Sequence, residues 1–246
     1  MRKAVISGVG PDRGLGAQLA RRFAREGLHV FVAGRTQAKL DAVVADIKAA
    51  GGEATAVVAD ATSEQETLAL FDKVGEGLEL AVYNTGNNTP GRILDMEAAY
   101  FEASWRTACF GGFLFGREAL RRMLAANADG DPSRSRGTIL FTGASASLRG
   151  RAGFGAFNSS KGALRNLAQA MAKEYGPDGI HVGHVVVDGG IGGEKLLNRL
   201  PDGGSRLAEG RLIGIEGIVE AFAFLYRQPR AAWSFEVDVR TSKETW

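Results

Sequence analysis

The chain is poor in cysteine, histidine and proline, and it has no long apolar run. A single cysteine, Cys109, excludes an internal disulfide framework and a cysteine-based zinc site, and it fits a reducing compartment such as the cytoplasm. The three histidines, His29, His181 and His184, fall in no ligand-like spacing, so no metal is expected. No apolar run approaches the ~20 residues that span a bilayer. The opening MRKAVISGVG enters a strand within a few residues and lacks the apolar core of a secretory leader, so neither export nor membrane contact is expected. An excess of charge of one sign is also missing. Thirty basic residues against 28 acidic ones leave a net charge of +2, which provides no polyanion-binding surface, and nucleic acid is not an expected partner.

Glycine is abundant, at 34 of 246 residues, about twice the usual ~7%. With six prolines and no collagen period, these glycines are expected in turns and at close backbone approaches. The 45% hydrophobic and 24% charged composition is that of an ordinary folded chain.

Short β-branched runs alternate with helical patterns from end to end. Strands are predicted at Lys3–Ser7, His29–Ala33, Ala54–Ala59, Leu78–Tyr83, Thr138–Thr142, His181–Val187 and Phe235–Val239. Between them, Leu15, Leu19 and Phe23 form the stripe of a helix ending at Gly27, and Gln37–Ala50 is amphipathic. Ser63–Val74 is a third helix, with Thr62 or Ser63 as its N-cap. Met96–Leu124 reads as mostly helical, Asn127–Arg136 as a loop and Phe157–Tyr175 as a long helix. Continuous apolar strands separated by helices predict one α/β domain over 1–246, a doubly wound parallel sheet of about seven strands (a Rossmann fold). Residues 189–214 are Gly-rich and charged, and follow a strand's C-terminal end. They read equally as a mobile lid or a surface loop.

After the first strand comes Gly8-Val9-Gly10-Pro11-Asp12-Arg13-Gly14-Leu15-Gly16, opening into a helix. Glycines there let the backbone approach a pyrophosphate, and the helix N-terminus supplies free N–H donors. This context predicts nucleotide binding. With Gly10, Gly14 and Gly16 at the required spacing, and Ser7-Gly8 just ahead of them, the chain resembles the short-chain dehydrogenase/reductase (SDR) family over nearly its whole length. Asp60-Ala61 is similar to the family's adenine-contacting Asp, Asn84-Thr85-Gly86 to its Asn-Ala-Gly, and Phe157-Asn158-Ser159-Ser160-Lys161 to its Tyr-x-x-x-Lys. The resemblance implies cofactor contacts from Ser7, Gly10, Arg13, Gly14, Leu15, Gly16, Asp60, Ala61, Asn84, Thr85, Gly86 and Lys161, and from the backbone around Ile191. Ala33-Gly34-Arg35, at the end of strand two, holds no acid for the ribose hydroxyls. Arg35 and Arg13 favour a 2′-phosphate instead, and so NADP over NAD, unless both are simply solvated surface arginines.

The proton machinery departs from the family. The catalytic Tyr position is Phe157, which has no proton to give, while Lys161 is retained four residues on and on the same helix face. The Ser position falls on Ala144, or on Ser145 with a one-residue slip. The Asn position falls on Ala108, and the usual Thr near Ile191 is absent. A positioned general acid contributes ~10²–10⁴ in rate, roughly 3–5 kcal/mol of barrier. Remaining donors are a water relayed from Lys161, one of Ser145, Ser147, Ser159 and Ser160, or Asp188, and a substrate that needs no enzymic acid or carries its own would also suffice. Asp188 reads also as a turn or capping residue, and His184 as a satisfied core histidine. Two functions follow. One is an NADP(H)-dependent oxidoreductase acting on a small carbonyl or alcohol with weakened proton transfer. The other is a non-catalytic NADP(H)-binding sensor or assembly protein. The resemblance also implies a homodimer or homotetramer, associating through the helices that hold Trp105 and Lys161.

Overall fold

The computed structural model describes residues 1–126 and 135–243, so most of the loop expected over 127–136 lies outside the described residues. Its strands are β1 (Lys3–Ser7), β2 (His29–Gly34), β3 (Ala54–Val58), β4 (Leu78–Tyr83), β5 (Gly137–Thr142), β6 (Ile180–Val187) and β7 (Glu236–Val239). They form one sheet in the order β3-β2-β1-β4-β5-β6-β7, and every pairing is parallel. The order reverses between β1 and β4. In such sheets the crevice outside the strands' C-terminal ends at that reversal is where ligands bind.

Alternate residues of β1 divide the core. Ala4 and Ile6 face one apolar cluster, built with α1 (Leu15–Arg25), α2 (Gln37–Ala49) and α9 (Ile215–Arg227). Val5 faces the other, built with α3 (Glu64–Val74), α5 (Gly111–Ala126) and α6 (Gly155–Tyr175). The cap of α3 is Ser63, whose hydroxyl accepts the Glu66 amide at 3.2 Å.

The structure adds two features to the expected pattern. The predicted Met96–Leu124 helix is broken: α4 (Ala98–Trp105) runs into a π turn over Arg106–Phe110 before α5 begins. The predicted pattern also passes over α9, although Ile215, Ile218, Val219, Phe222 and Leu225 recur at helical spacing and are all buried there. Within 189–214 lie two short helices, α7 (Glu194–Leu197) and α8 (Gly203–Ala208). Among the described residues, no helix is long and apolar enough to cross a membrane.

Candidate active site

The turn between β1 and α1 is shaped by close backbone contact. Gly8 has φ +82°, and a Cβ there would lie 2.7 Å from the Asn84 carbonyl, so a side chain would separate β1 from β4. A Cβ on Gly16 would lie 2.7 Å from the Gly8 carbonyl oxygen, which fixes α1 tightly beneath the turn. Asn84 ties the crevice together: its amide N–H donates to Ser7 O at 3.1 Å, and its Nδ2 donates to Gly8 O at 3.3 Å. The hydroxyls of Ser7 and Thr85 lie 2.9 Å apart.

Helix α1 begins at Leu15 after the N-cap Gly14, with no side-chain cap and no acid in its first turn. Its first N–H groups and the positive end of its dipole are therefore available to an anion. Arg13 and Arg35 are both exposed near this end of the sheet. Arg35 lies close enough to Asp60 to help hold its carboxyl below the usual range, although the Thr62 backbone N–H is the larger cause. Asp60 Oδ1 accepts both the Thr62 amide and hydroxyl at 2.8 Å. Ala61 backs onto α5, where a Cβ on Gly111 would lie 2.7 Å from its carbonyl oxygen.

Lys161 is drawn into the same network from α6. It is buried, and its Nζ donates to Thr142 O at 2.7 Å, while Thr142 Oγ1 donates to Asn84 Oδ1 at 2.9 Å. Gly86 faces the ammonium, since a Cβ there would lie 3.5 Å from Nζ. Burial pushes Lys161 down to about 8. Phe157, one helical turn earlier, is half-buried. None of the four tyrosines stands at residue 157. Tyr83 donates to Thr107 O at 2.6 Å in the π turn, Tyr100 accepts the Thr89 amide at 3.0 Å, Tyr226 accepts Arg2, and Tyr175 ends α6. Ala108, at the expected Asn position, lies within the π turn, a feature frequent at functional sites.

The candidate proton donors separate by their partners. Ser159 and Ser160 are bonded back to their own helix, at Gly155 O (2.9 Å) and Ala156 O (2.5 Å) respectively. Ser145 opens the short 3-10 turn Ser145–Ser147 beside Ala144. Ser147 points to His184, with 3.4 Å between Oγ and Nε2. Asp188 is buried against Arg149, whose Nη2 lies 3.0 Å from both carboxylate oxygens, and Arg240 stands 3.8 Å away. It is an ion-paired residue. Ile191 forms a parallel bridge with Ile213, and the Glu194 amide donates to Arg13 O at 3.2 Å. Part of the 189–214 segment is thus folded down onto the phosphate turn. Arg149, Arg165 and Glu236 did not stand out in the sequence, because nothing local shows that their charges are paired across strands.

A parallel sheet with its glycine turn at the order reversal and a buried lysine across the crevice defines a dinucleotide-binding oxidoreductase class. The chain belongs to the short chain dehydrogenase family, whose sequence profile (adh_short) matches residues 3–192. It is 36% identical to the crystal structure of a short-chain dehydrogenase from Rhodopseudomonas palustris, with a TM-score of 0.78 over 97% of this chain and 98% of that one. A metagenomic short-chain oxidoreductase solved in complex with NADP is 26% identical, with a TM-score of 0.78 over 97% of this chain and 96% of that one. The oxidoreductase YuxG of Bacillus subtilis is 28% identical over 76% of this chain, a match that spans 27% of YuxG.

Proposed function

We propose that this protein is an NADP(H)-dependent oxidoreductase acting on a small carbonyl or alcohol, and that residue 157 takes no part in moving the proton. The observation that carries the reading is the hydrogen-bonded path from Gly8 through Asn84 and Thr142 to Lys161, which joins the phosphate turn to the lysine of the Tyr-x-x-x-Lys position. The residues fit a dinucleotide: Gly8 and Gly16 leave backbone where a Cβ would intrude, and α1 presents uncapped N–H groups.

A nicotinamide dinucleotide supplies or takes the hydride when bound. The α1 N-terminus and the turn would hold its pyrophosphate, Arg13 and Arg35 its 2′-phosphate, and Lys161 its ribose. The NADP-bound relative supports this choice of cofactor. Without a phenol at residue 157, a carbonyl reduced beside Lys161 lacks a direct acid, a loss of ~10²–10⁴ in rate unless another group replaces it.

NADPH fluorescence titration, followed by a carbonyl panel assayed with the wild type and with Phe157→Tyr/Ala144→Ser, tests this reading. Tight NADPH binding with measurable turnover is expected. Failure to bind either dinucleotide would defeat it. Phe157 favours a second reading, a non-catalytic NADP(H) sensor or assembly protein, for which binding without any turnover is expected until the two substitutions are made. A self-association surface fits either reading: Phe101 and Trp105 on α4 and Phe113 on α5 are exposed aromatics.

A further inference from the structure

Glu236, His184 and Ser147 form a hydrogen-bonded chain from β7 through β6 to the turn after β5. His184 has no exposed surface; its Nδ1 lies 2.9 Å from Glu236 Oε2 and its Nε2 3.4 Å from Ser147 Oγ. A carboxylate only accepts, so Nδ1 carries the proton and Nε2 accepts from the Ser147 hydroxyl. Arg165 holds Glu236 from the other side, with Nε at 2.6 Å and Nη2 at 3.0 Å. The ring reaches Ser147 only because β5 is followed by Gly143, where a Cβ would lie 2.2 Å from Nε2.

The charged groups acting on His184 are Glu236 from β7 and Lys161 and Arg165 from α6, and the turn after β5 brings Gly143 and Ser147 against the ring. Burial pushes His184 down to about 4, so the imidazole is neutral at ordinary pH. Ser147 Oγ also accepts the Ala144 amide at 3.2 Å. The hydroxyl therefore stands beside the residue where the family resemblance expects a substrate-facing serine. Ser147 is 9% exposed.

We propose that Ser147 transfers the substrate proton and that His184, positioned by Glu236, is the base behind it in alcohol oxidation. The proposal rests on the oxidoreductase reading above. As the alcohol is oxidised, its O–H bond breaks and the proton binds Ser147 Oγ. The Ser147 O–H bond breaks in turn, and that proton binds His184 Nε2. The hydride from the carbinol carbon goes to an oxidised nicotinamide dinucleotide, leaving the carbonyl. The resulting imidazolium is paired with Glu236 and returns its Nε2 proton through Ser147 Oγ once the carbonyl product has left. Reduction reverses the path and draws on imidazolium, which becomes about tenfold scarcer with each pH unit above the His184 pKa.

The test uses the full chain with NADP⁺ and a panel of secondary alcohols (cyclohexanol, 2-butanol and 1-phenylethanol), together with ¹⁵N-histidine NMR. The spectra are expected to show a protonated Nδ1 and a bare Nε2 at His184 through about pH 6–8, with the Nε2 signal moved by Ser147→Ala. Ser147→Ala is expected to lower kcat for oxidation about 100-fold at unchanged NADPH Kd, with Tm lowered only by the lost buried hydrogen bond, and adding Phe157→Tyr to restore kcat at least about tenfold without restoring Tm. Wild-type oxidation should be flat across about pH 6–8 while reduction of the matching ketones falls. A protonated Nε2, or a Ser147→Ala enzyme with wild-type kcat, would overturn the proposal alone. NADPH binding without turnover of any alcohol or matching ketone would remove the oxidoreductase reading and this proposal with it.

Discussion

Lys161 donates to the Thr142 carbonyl at 2.7 Å and is held as a buried ammonium by a neutral partner. Its pKa falls from 10.5 to about 8 through burial, so the unfolded chain binds more protons between those values. Stability should therefore rise from about pH 8 to 10.5, and below that range the buried charge costs on the order of 3 kcal/mol. Lys161→Met, which removes the charge and keeps the bulk, is expected to unfold at an equal or higher temperature at pH 7 while losing NADPH affinity. Calorimetry and an NADPH titration check both parts.

The acid limb has its own source in His184, lowered from 6.5 to about 4 by burial. A depressed pKa means stability that is present above 6.5 and lost as pH falls toward 4, by on the order of 3 kcal/mol. Urea unfolding at pH 7 and pH 4.5 is expected to show the drop. His184→Asn should be less stable at pH 7 and should flatten the slope between pH 5 and 6.5.

Gly16→Ala places a Cβ 2.7 Å from Gly8 O and 3.0 Å from Val9 Cα. Alanine favours the helix, so the protein should remain folded while the phosphate turn is displaced. NADPH Kd is expected to weaken at least about tenfold with little change in circular dichroism.

Arg35→Asp replaces a cation with the acid that NAD sites use for ribose hydroxyls. Losing a charge-assisted contact of about 1.5–3 kcal/mol should weaken NADPH binding about 10- to 100-fold and narrow or invert the preference over NADH. Fluorescence titration of both cofactors reads the ratio.

Much of this fold is legible in the sequence because the strands are unbroken apolar runs and the helices carry one-sided stripes. Lys3–Ser7 and Leu78–Tyr83 coincide with the expected boundaries. The π turn at Arg106–Phe110 leaves no such trace. Within it Thr107 O accepts from Tyr83 on β4, a contact between residues 24 positions apart. Helix α9 was legible in its periodicity, but the preceding Gly-rich segment masked its start. In the site, the glycine turn and Lys161 follow from local spacing. The Ser147–His184–Glu236 chain joins residues 37 and 52 positions apart, and only the strand order brings them together. In sequence Asp188 reads as a candidate proton donor or a turn or capping residue, and its ion pairs are not legible because Arg149 and Arg240 arrive from other parts of the chain.

The most direct measurement is the kcat of NADPH-dependent carbonyl reduction at about pH 8, for the wild type and Phe157→Tyr side by side. The account predicts a gain of at least about tenfold for Phe157→Tyr at unchanged NADPH Kd, because a phenol one turn from Lys161 restores a direct acid. A vigorous wild type whose rate Phe157→Tyr leaves unchanged or lowers would contradict it.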